Sequence, residues 1–233
     1  INRGILILGL AQLFSLFMFF NGLNFKTFIK FIFIFFFIVY IFGVIGEFRI
    51  GKENNKIFYN LISEDHKELF VEKLPIGFTW SYIYFTASLA NINYNIDKIE
   101  PNYYPKTSIA TLVPSLIQKI LYPEKLEYED RYVMEMINPL INTFTYFAGY
   151  LLDFGVIGTI VVVFFLQIII NYTYIKARSG SFSAQLVYPV LLSTILLSIF
   201  TDYFMSLVII LEIILLYKTG NLISKFLMIK LNE

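Results

Sequence analysis

The residue with the clearest chemical potential is an aspartate inside an apolar stretch. From Phe144 to Ile170 the only charged side chain is that of Asp153, and this stretch is long enough to cross a bilayer. A carboxylate in a membrane span is costly, so it usually faces protein or water and often marks function. Because Gly155 and Gly158 follow, the competing interpretation is that Asp153 forms hydrogen bonds that fix helix packing.

Three arginines are candidates for binding an anion. Arg3 precedes the first apolar stretch, Arg49 follows the second, and Arg131 lies in the acidic run EYEDRYVME. A guanidinium binds phosphate oxygens with two parallel hydrogen bonds, so Arg3 and Arg49 could hold a phosphorylated substrate. The competing interpretations are interface anchors for Arg3 and Arg49 and a local salt bridge for Arg131. Glu47, two residues before Arg49, is either its ion-pair partner or a further acid in the same site.

The remaining polar candidates are weaker. His66 is the only histidine, and histidine is the residue type most often used for proton transfer, but its charged and polar neighbours favour a solvated loop residue. Asp202 falls in a predicted turn, while Glu212 lies within an apolar stretch and needs a partner. No metal or cofactor is predicted, because the chain has no cysteine and its acidic residues lack ligand spacing.

The composition indicates a helical membrane protein. Hydrophobic residues make up 58% of the 233 residues and charged residues 15%, against about 45–50% and about 25% in soluble domains. The apolar runs are continuous rather than alternating, which is typical of helices. A net charge of +1 without a basic run argues against a nucleic-acid partner. We therefore predict an all-α integral membrane protein.

Five apolar stretches approach the length of a transmembrane helix, about 20 residues. They cover roughly residues 4–20, 28–46, 144–170, 185–202 and 203–217. The chain starts at Ile1 and enters the first apolar stretch at once. We therefore expect a C-terminal portion of a longer protein with earlier spans.

Basic residues predict the orientation, because they concentrate in the cytoplasmic loops. Five spans put the following basic residues on one side: Lys26, Lys30, Lys176, Arg178, Lys218, Lys225 and Lys230. The predicted domains are 1–46 with two transmembrane helices, 47–142 as a long extracytoplasmic loop domain, and 143–233 with three transmembrane helices and a cytoplasmic C-terminus. The loop domain has ten basic and thirteen acidic residues, which suits the outside.

The stretch from Ile76 to Ile92 is apolar and aromatic enough to suggest a sixth span. A span there would move Lys176 and Arg178 to the outside, which the distribution of basic residues disfavours. Trp80 and its neighbouring tyrosines are typical of the membrane interface. We predict an interfacial or re-entrant segment over 76–92, within the outside domain.

Four segments resemble the bacterial O-antigen and capsular polysaccharide polymerases of the Wzy type. They are NRGILILGL at 2–10, GEFR at 46–49, SYIYFTASLANI at 81–92 and NTFTYFAGYLLDFGVIG at 142–158. The last is the closest and resembles the family pattern Asn-x-x-Thr, Tyr, Asp-Phe-Gly-x-x-Gly. The resemblance covers the chain from Arg3 to about Phe204. Members of this family usually have ten or more spans, which again implies a C-terminal portion.

The resemblance implies a multi-pass glycosyltransferase at the outer face of the bacterial cytoplasmic (inner) membrane. It would transfer a growing glycan from undecaprenyl diphosphate to a lipid-linked oligosaccharide repeat unit, without a cofactor. Membrane lipids, a chain-length regulator and a flippase are the further partners. Arg3 and Arg49 would stabilise the diphosphate, and Asp153 or Glu47 would act as the base. The substrate-binding candidates are Trp80, Tyr82, Tyr84, Asn91, Asn142, Tyr150 and Arg131.

Other functions also fit the sequence. An O-antigen ligase, of a related fold, transfers the finished glycan to a lipid core, but the DFG-x-x-G segment favours a polymerase. A non-catalytic transporter or flippase component for lipid-linked glycans should show broken helices and charged residues near mid-membrane, and only Glu212 lies at such a depth. A structural membrane subunit would tolerate alanine at Arg3 and Arg49.

Overall fold

The computed structural model describes residues 3–21, 25–50, 62, 64–68, 73–112, 134–137, 144–199 and 202–231. Over these residues the chain is helical, and no strand occurs among them. The helices are α1 (Arg3–Asn21), α2 (Phe25–Ile50), α3 (Glu64–Lys67), α4 (Ile76–Asn95), α5 (Lys106–Leu112), α6 (Phe147–Arg178), α7 (Phe182–Leu197) and α8 (Leu207–Leu231). The predicted all-helical class is therefore confirmed for the described part of the chain.

Two helices have the length and hydropathy of a membrane span. They are α6 and, within α8, the segment Leu207–Phe226. Shorter apolar helices occur at Leu8–Phe20, Ile32–Gly46 and Phe182–Leu197. These five segments follow the order of the five predicted spans. Two candidate spans are thus found, and the full number of five stays a prediction.

Helix α7 is the central helix of a bundle, because it packs against α1, α6 and α8. It runs antiparallel to α8, so that the start of α7 lies beside the later turns of α8. A Cβ added to Gly220 would lie 2.5 Å from the Cα of Ser183. The Ser183 hydroxyl also donates a hydrogen bond of 2.6 Å to the Asn221 Oδ1. Small residues at this end allow the two helices to approach closely.

Helix α1 also runs antiparallel to α7. The ring of Phe19 contacts that of Tyr188, with 5.6 Å between centroids. Two turns earlier, Gln12 donates a hydrogen bond of 3.0 Å to the Glu212 carboxylate in α8. The acid that lies within an apolar helix therefore has the partner that it needs. The end of α1 lies beside Tyr188, and its earlier residues lie progressively closer to the end of α7. Its first residue, Arg3, is therefore at the same end of the bundle as the turn after α7.

Helices α2 and α4 meet at two glycines. Gly43 faces Gly77 so closely that a Cβ on either residue would overlap the backbone of the other helix. On the Gly77 side, an added Cβ would lie 2.5 Å from the carbonyl oxygen of Tyr40. Glycines at a helix contact let the two backbones approach closely. This contact therefore determines the distance between α2 and α4.

The two helices cross at a steep angle. Trp80 packs against Gly46, whereas the next residue of α4, Ser81, donates a hydrogen bond of 2.7 Å to the carbonyl oxygen of Val39. Consecutive residues of α4 thus contact α2 about two turns apart, which a nearly parallel pair of helices would not allow. The interfacial or re-entrant segment over 76–92 stays a prediction.

Alanine at Gly43 should weaken the contact between α2 and α4. We expect Gly43→Ala to lower the free energy of unfolding by about 1–3 kcal/mol, because the added methyl group overpacks a backbone contact. The measurement is the Tm of the purified protein in detergent. Gly9→Ala is the control, because no described atom lies within 4 Å of its added Cβ. Equal Tm changes in the two variants would contradict the contact.

Candidate functional site

Helix α6 is broken near its start by Gly155. This glycine has φ 67° and ψ −172°, a backbone conformation that residues other than glycine rarely adopt. The break separates residues 147–154 from the long segment 156–178. The carbonyl oxygen of Leu152 then accepts a hydrogen bond of 2.8 Å from the N–H of Asn102. An added Cβ on Gly155 would also lie 2.9 Å from Pro101 Cγ. The loop after α4 therefore packs into the break.

The Asp153 carboxylate binds the start of α5. Its Oδ1 accepts the N–H of Thr107 at 2.7 Å, and its Oδ2 accepts the N–H of Ser108 at 2.8 Å. The Ser108 hydroxyl donates a third hydrogen bond, of 2.7 Å, to Oδ2. The carboxylate is fully buried. A negative charge at the first turn of a helix is favourable, because the N–H groups there have no helical partner.

These hydrogen bonds give Asp153 the packing role that was the competing interpretation of its sequence. Both of its oxygens already accept hydrogen bonds in the described structure. The catalytic role of Asp153 stays a prediction, and its observed contacts are those of an anchor between α5 and α6.

Asparagine at Asp153 should release α5. In Asp153→Asn, the side-chain NH₂ would face one of the backbone N–H donors of α5, so that neither could form a hydrogen bond. A buried donor that is left unpaired costs about 1–3 kcal/mol. We expect faster amide hydrogen exchange over residues 106–112. Ser108→Ala is the matched comparison, because it removes one hydroxyl donor and keeps both backbone hydrogen bonds, so its effect should be smaller. Unchanged exchange in Asp153→Asn would show that the carboxylate is not the anchor.

Two asparagines of α4 bind the segment 134–137. Asn95 Oδ1 accepts the N–H of Glu135 at 2.9 Å, and its Nδ2 donates to the carbonyl oxygen of Glu135 at 2.7 Å. Asn91 Oδ1 accepts the N–H of Ile137 at 3.0 Å. The buried Met134 then packs with Ile92 and with the first residues of α6. The end of α4 is thus attached to the start of α6.

A second carboxylate lies beside the start of α6. Asp202, in the turn between α7 and α8, accepts the N–H groups of Phe204 at 2.9 Å and Met205 at 3.2 Å, both on Oδ1. The Tyr146 ring packs between those of Tyr150 and Phe204, each with a centroid distance of 6.1 Å. We call Asp202, Tyr146, Tyr150 and Phe204 the Asp202 cluster. The N–H of Tyr146 also donates a hydrogen bond of 2.8 Å to the carbonyl oxygen of Ser198. This bond fixes α6 to the end of α7.

Tyr150 places a hydroxyl in this cluster. Its side chain is fully buried, and no described residue lies within hydrogen-bonding geometry of the hydroxyl. The hydroxyl is nevertheless close enough to the Asp202 carboxylate to lower its pKa. An unpaired buried hydroxyl is unfavourable. At this position the Tyr150 hydroxyl can form a hydrogen bond with Asp202 or with a bound molecule.

Burial raises the pKa of Asp202 to about 6, from an ordinary value of 3.8. The N–H of Met205, the Tyr150 hydroxyl and the N–H of Phe204 offset part of this increase, because they stabilise the charged form. A carboxyl group with such a pKa is mostly ionised at neutral pH and can still accept a proton. These are the properties of a general base.

The charge of Asp202 should destabilise the protein progressively as the pH rises from about 4 to about 6, and fully above that range. The folded pKa lies above the unfolded one, so the folded state binds the proton more tightly and gains stability as the pH falls. Asp202→Asn keeps an acceptor for both N–H groups and removes the charge. We expect its Tm to exceed that of the wild type at pH 7.5 and the difference to shrink at pH 5. Asp97→Asn, at an exposed residue, should show no such dependence. A difference that is independent of pH would contradict the raised pKa.

The residues predicted to bind substrate or to act in catalysis differ in their burial. Trp80, Asn91 and Tyr150 are buried, whereas Tyr82 and Tyr84 are half-buried. For Arg3, Glu47 and Arg49 the structure describes the helix but not the side chain. Asn142 and Arg131 lie outside the described residues. The roles of all these residues stay predictions.

Sequence reasoning underrated Asp202. In the sequence it is one acid in a short turn, and nothing nearby indicates that its pKa is perturbed. The available signal was the triplet Thr201-Asp202-Tyr203 between two apolar stretches, which puts a carboxylate at a membrane boundary. Tyr146 and Tyr150 lie one helical turn apart, so their spacing alone puts them on one face of a helix with Asp153. Asp202 joins that region only through the fold.

The described side chains contain no group of three or more acids or histidines that could hold a metal ion. Comparison with known proteins gives no further information: no protein-family model, curated protein or solved structure matches the chain. Any functional assignment therefore depends on the residues and their geometry.

Proposed function

We propose that the chain is a polysaccharide polymerase of the bacterial cytoplasmic membrane. It transfers a growing glycan from undecaprenyl diphosphate to a lipid-linked oligosaccharide repeat unit at the outer face. Undecaprenyl-diphosphate-linked oligosaccharides are its substrates, and a chain-length regulator and a flippase are its partners. The proposal rests on the resemblance of four sequence segments and on one structural observation.

That observation is the convergence of polar groups at one end of the bundle. The start of α1 with Arg3, the broken start of α6 and the turn containing Asp202 lie at the same end. The end of α4 packs against this region, since Ile92 contacts the cluster formed by Phe144, Ala148 and their neighbours. A membrane-surface reaction needs such a collection of charged and aromatic groups where lipid-linked substrates meet water.

The chemistry requires stabilisation of a leaving diphosphate and removal of one proton. Arginines in a water-poor site can stabilise the negative charge of the leaving group without a metal ion. Arg3 and Arg49 are the candidates, since each belongs to one end of a membrane-associated helix. A carboxylate takes the proton of the attacking hydroxyl. The rings of Tyr82 and Tyr84, which pack with Trp80 in α4, are the candidates for sugar binding because they offer flat apolar faces.

The broken helix α6 also favours a second candidate, a transporter or flippase component for lipid-linked glycans. Discontinuous helices in transporters put their binding sites near the midplane of the membrane. In α6 the break is eight residues from the start, and 23 residues follow it. The other mid-helix charge, Glu212, is already bonded to Gln12. A break near one end suits a surface reaction better than a site at the midplane.

The test is complementation of a polymerase-deficient strain with the full-length gene, comparing wild type with Arg3→Ala and Arg49→Ala at matched expression. We expect loss of the polymer ladder in both variants, with single repeat units still present at the cell surface, because transfer fails while translocation continues. Lys52→Ala is the control, as it removes a neighbouring positive charge that has no assigned role.

Two results would contradict the proposal. Loss of the single units as well would indicate translocation, and a wild-type gene that restores no ladder would exclude polymerisation. An unchanged ladder in Arg3→Ala and Arg49→Ala would leave the polymerase in place and return both arginines to the role of interface anchors.

A further inference from the structure

We propose that Asp202 is the general base of the transfer and that Tyr150 positions it. This inference rests on the proposed function and names a residue that differs from the sequence candidates Asp153 and Glu47. It follows from the contrast between Asp153, within the first segment of α6, and Asp202, which lies beside that segment.

The two carboxylates differ in how their oxygens are used. Both oxygens of Asp153 accept hydrogen bonds from α5. Asp202 instead accepts both of its backbone hydrogen bonds on Oδ1, and among the described residues no N–H group is bonded to Oδ2. One oxygen thus fixes the carboxylate in the turn, while the other can accept a proton. Asp153 has the geometry of an anchor and Asp202 that of a base.

Tyr150 supplies the second part of the geometry. Its ring is held edge-on by Tyr146, at an interplanar angle of 85°, and its hydroxyl is buried close to Asp202 without a partner in hydrogen-bonding geometry among the described residues. Proteins seldom leave a buried hydroxyl unpaired unless it has a further role. The hydroxyl interacts with the Asp202 carboxylate, and through this interaction it orients the carboxylate towards the acceptor.

The step balances as follows. The O–H bond of the acceptor sugar breaks, and its proton moves to the Asp202 carboxylate. The acceptor oxygen forms the new bond to the anomeric carbon of the growing glycan, while the bond from that carbon to the diphosphate oxygen breaks. The electron pair leaves with undecaprenyl diphosphate, and the proton on Asp202 passes to water. No oxidant, reductant or metal is needed.

The ionisable groups near Asp202 determine how its charge varies with pH. Tyr146 and Tyr150 of α6 are the titratable groups that interact with its charge, and Tyr203 lies next to it in the turn. The last two turns of α7 and the first turn of α8 contain no ionisable side chain. Helix α1 brings Arg3 to this end. Because the pKa of Asp202 is about 6, activity should rise with pH around that value as the base loses its proton.

The experiment uses the full-length protein in proteoliposomes with an undecaprenyl-diphosphate-linked oligosaccharide, and glycan elongation is followed from pH 5 to pH 8. We expect Asp202→Asn to lower the rate by about 10²- to 10⁴-fold, the usual contribution of a general base. Asp97→Asn, which removes an exposed acid from the loop after α4, should retain the wild-type rate. The Tm of each variant shows whether it is folded.

Tyr150→Phe separates positioning from packing, because it removes only the hydroxyl. Since this hydroxyl lowers the pKa of Asp202, its loss should move the acidic limb of the pH profile to higher pH. A purely structural role would lower the rate without moving the limb.

The outcomes separate the proposed polymerase function from the proposed role of Asp202. If the wild-type protein does not elongate the glycan, the proposed function fails and the inference fails with it. If the wild type is active and Asp202→Asn stays within about threefold of it, the polymerase stands and Asp202 is not its base. An acidic limb that keeps its position in Tyr150→Phe would overturn the positioning role of Tyr150.

Discussion

The hydrogen bonds between the Asp153 carboxylate and the start of α5 are the interaction on which the rest of the site depends. They join two parts of the chain that lie 45 residues apart, Ser108 and Asp153. Exposing a carboxylate to lipid is far costlier than surrounding it with N–H and O–H donors. The apolar stretch that carries Asp153 therefore requires a polar partner from outside the helix, and the loop after α4 supplies it.

The break at Gly155 extends this constraint to the bundle end. A continuous helix would use the Leu152 carbonyl oxygen internally, whereas here it binds the N–H of Asn102. The short first segment of α6 can then contact the turn after α7, where the Tyr146 N–H binds the Ser198 carbonyl oxygen. Asp202 and Tyr150 meet because the anchor, the break and this contact act together. The proposed base thus owes its position in part to the hydrogen bonds that Asp153 makes with α5.

Sequence patterns predicted the helical class and the order of the apolar segments, because long apolar runs have few alternatives in a membrane. They also identified Asp153 as a polar site, with hydrogen bonding as one of its two interpretations. They did not predict the Gly43–Gly77 contact, since glycine occurs in many apolar helices and only the fold selects its partner. Asp202 was underrated for the same reason: its burial comes from α6, about 50 residues away in the sequence. The steep crossing of α4 over α2 likewise depends on side chains that no local pattern relates.

The proposed reaction at the outer face requires Asp202, the start of α6 and the loop after α4 to lie on the outer side of the membrane. Because none of the 233 residues is cysteine, single cysteines can report this side directly. Tyr103, in the loop after α4, and Ser179, after α6, are both exposed and lie beyond opposite ends of the bundle. A membrane-impermeant maleimide should label Tyr103→Cys in intact spheroplasts and Ser179→Cys only after permeabilisation. The reverse pattern would put the Asp202 cluster in the cytoplasm and contradict a reaction at the outer face.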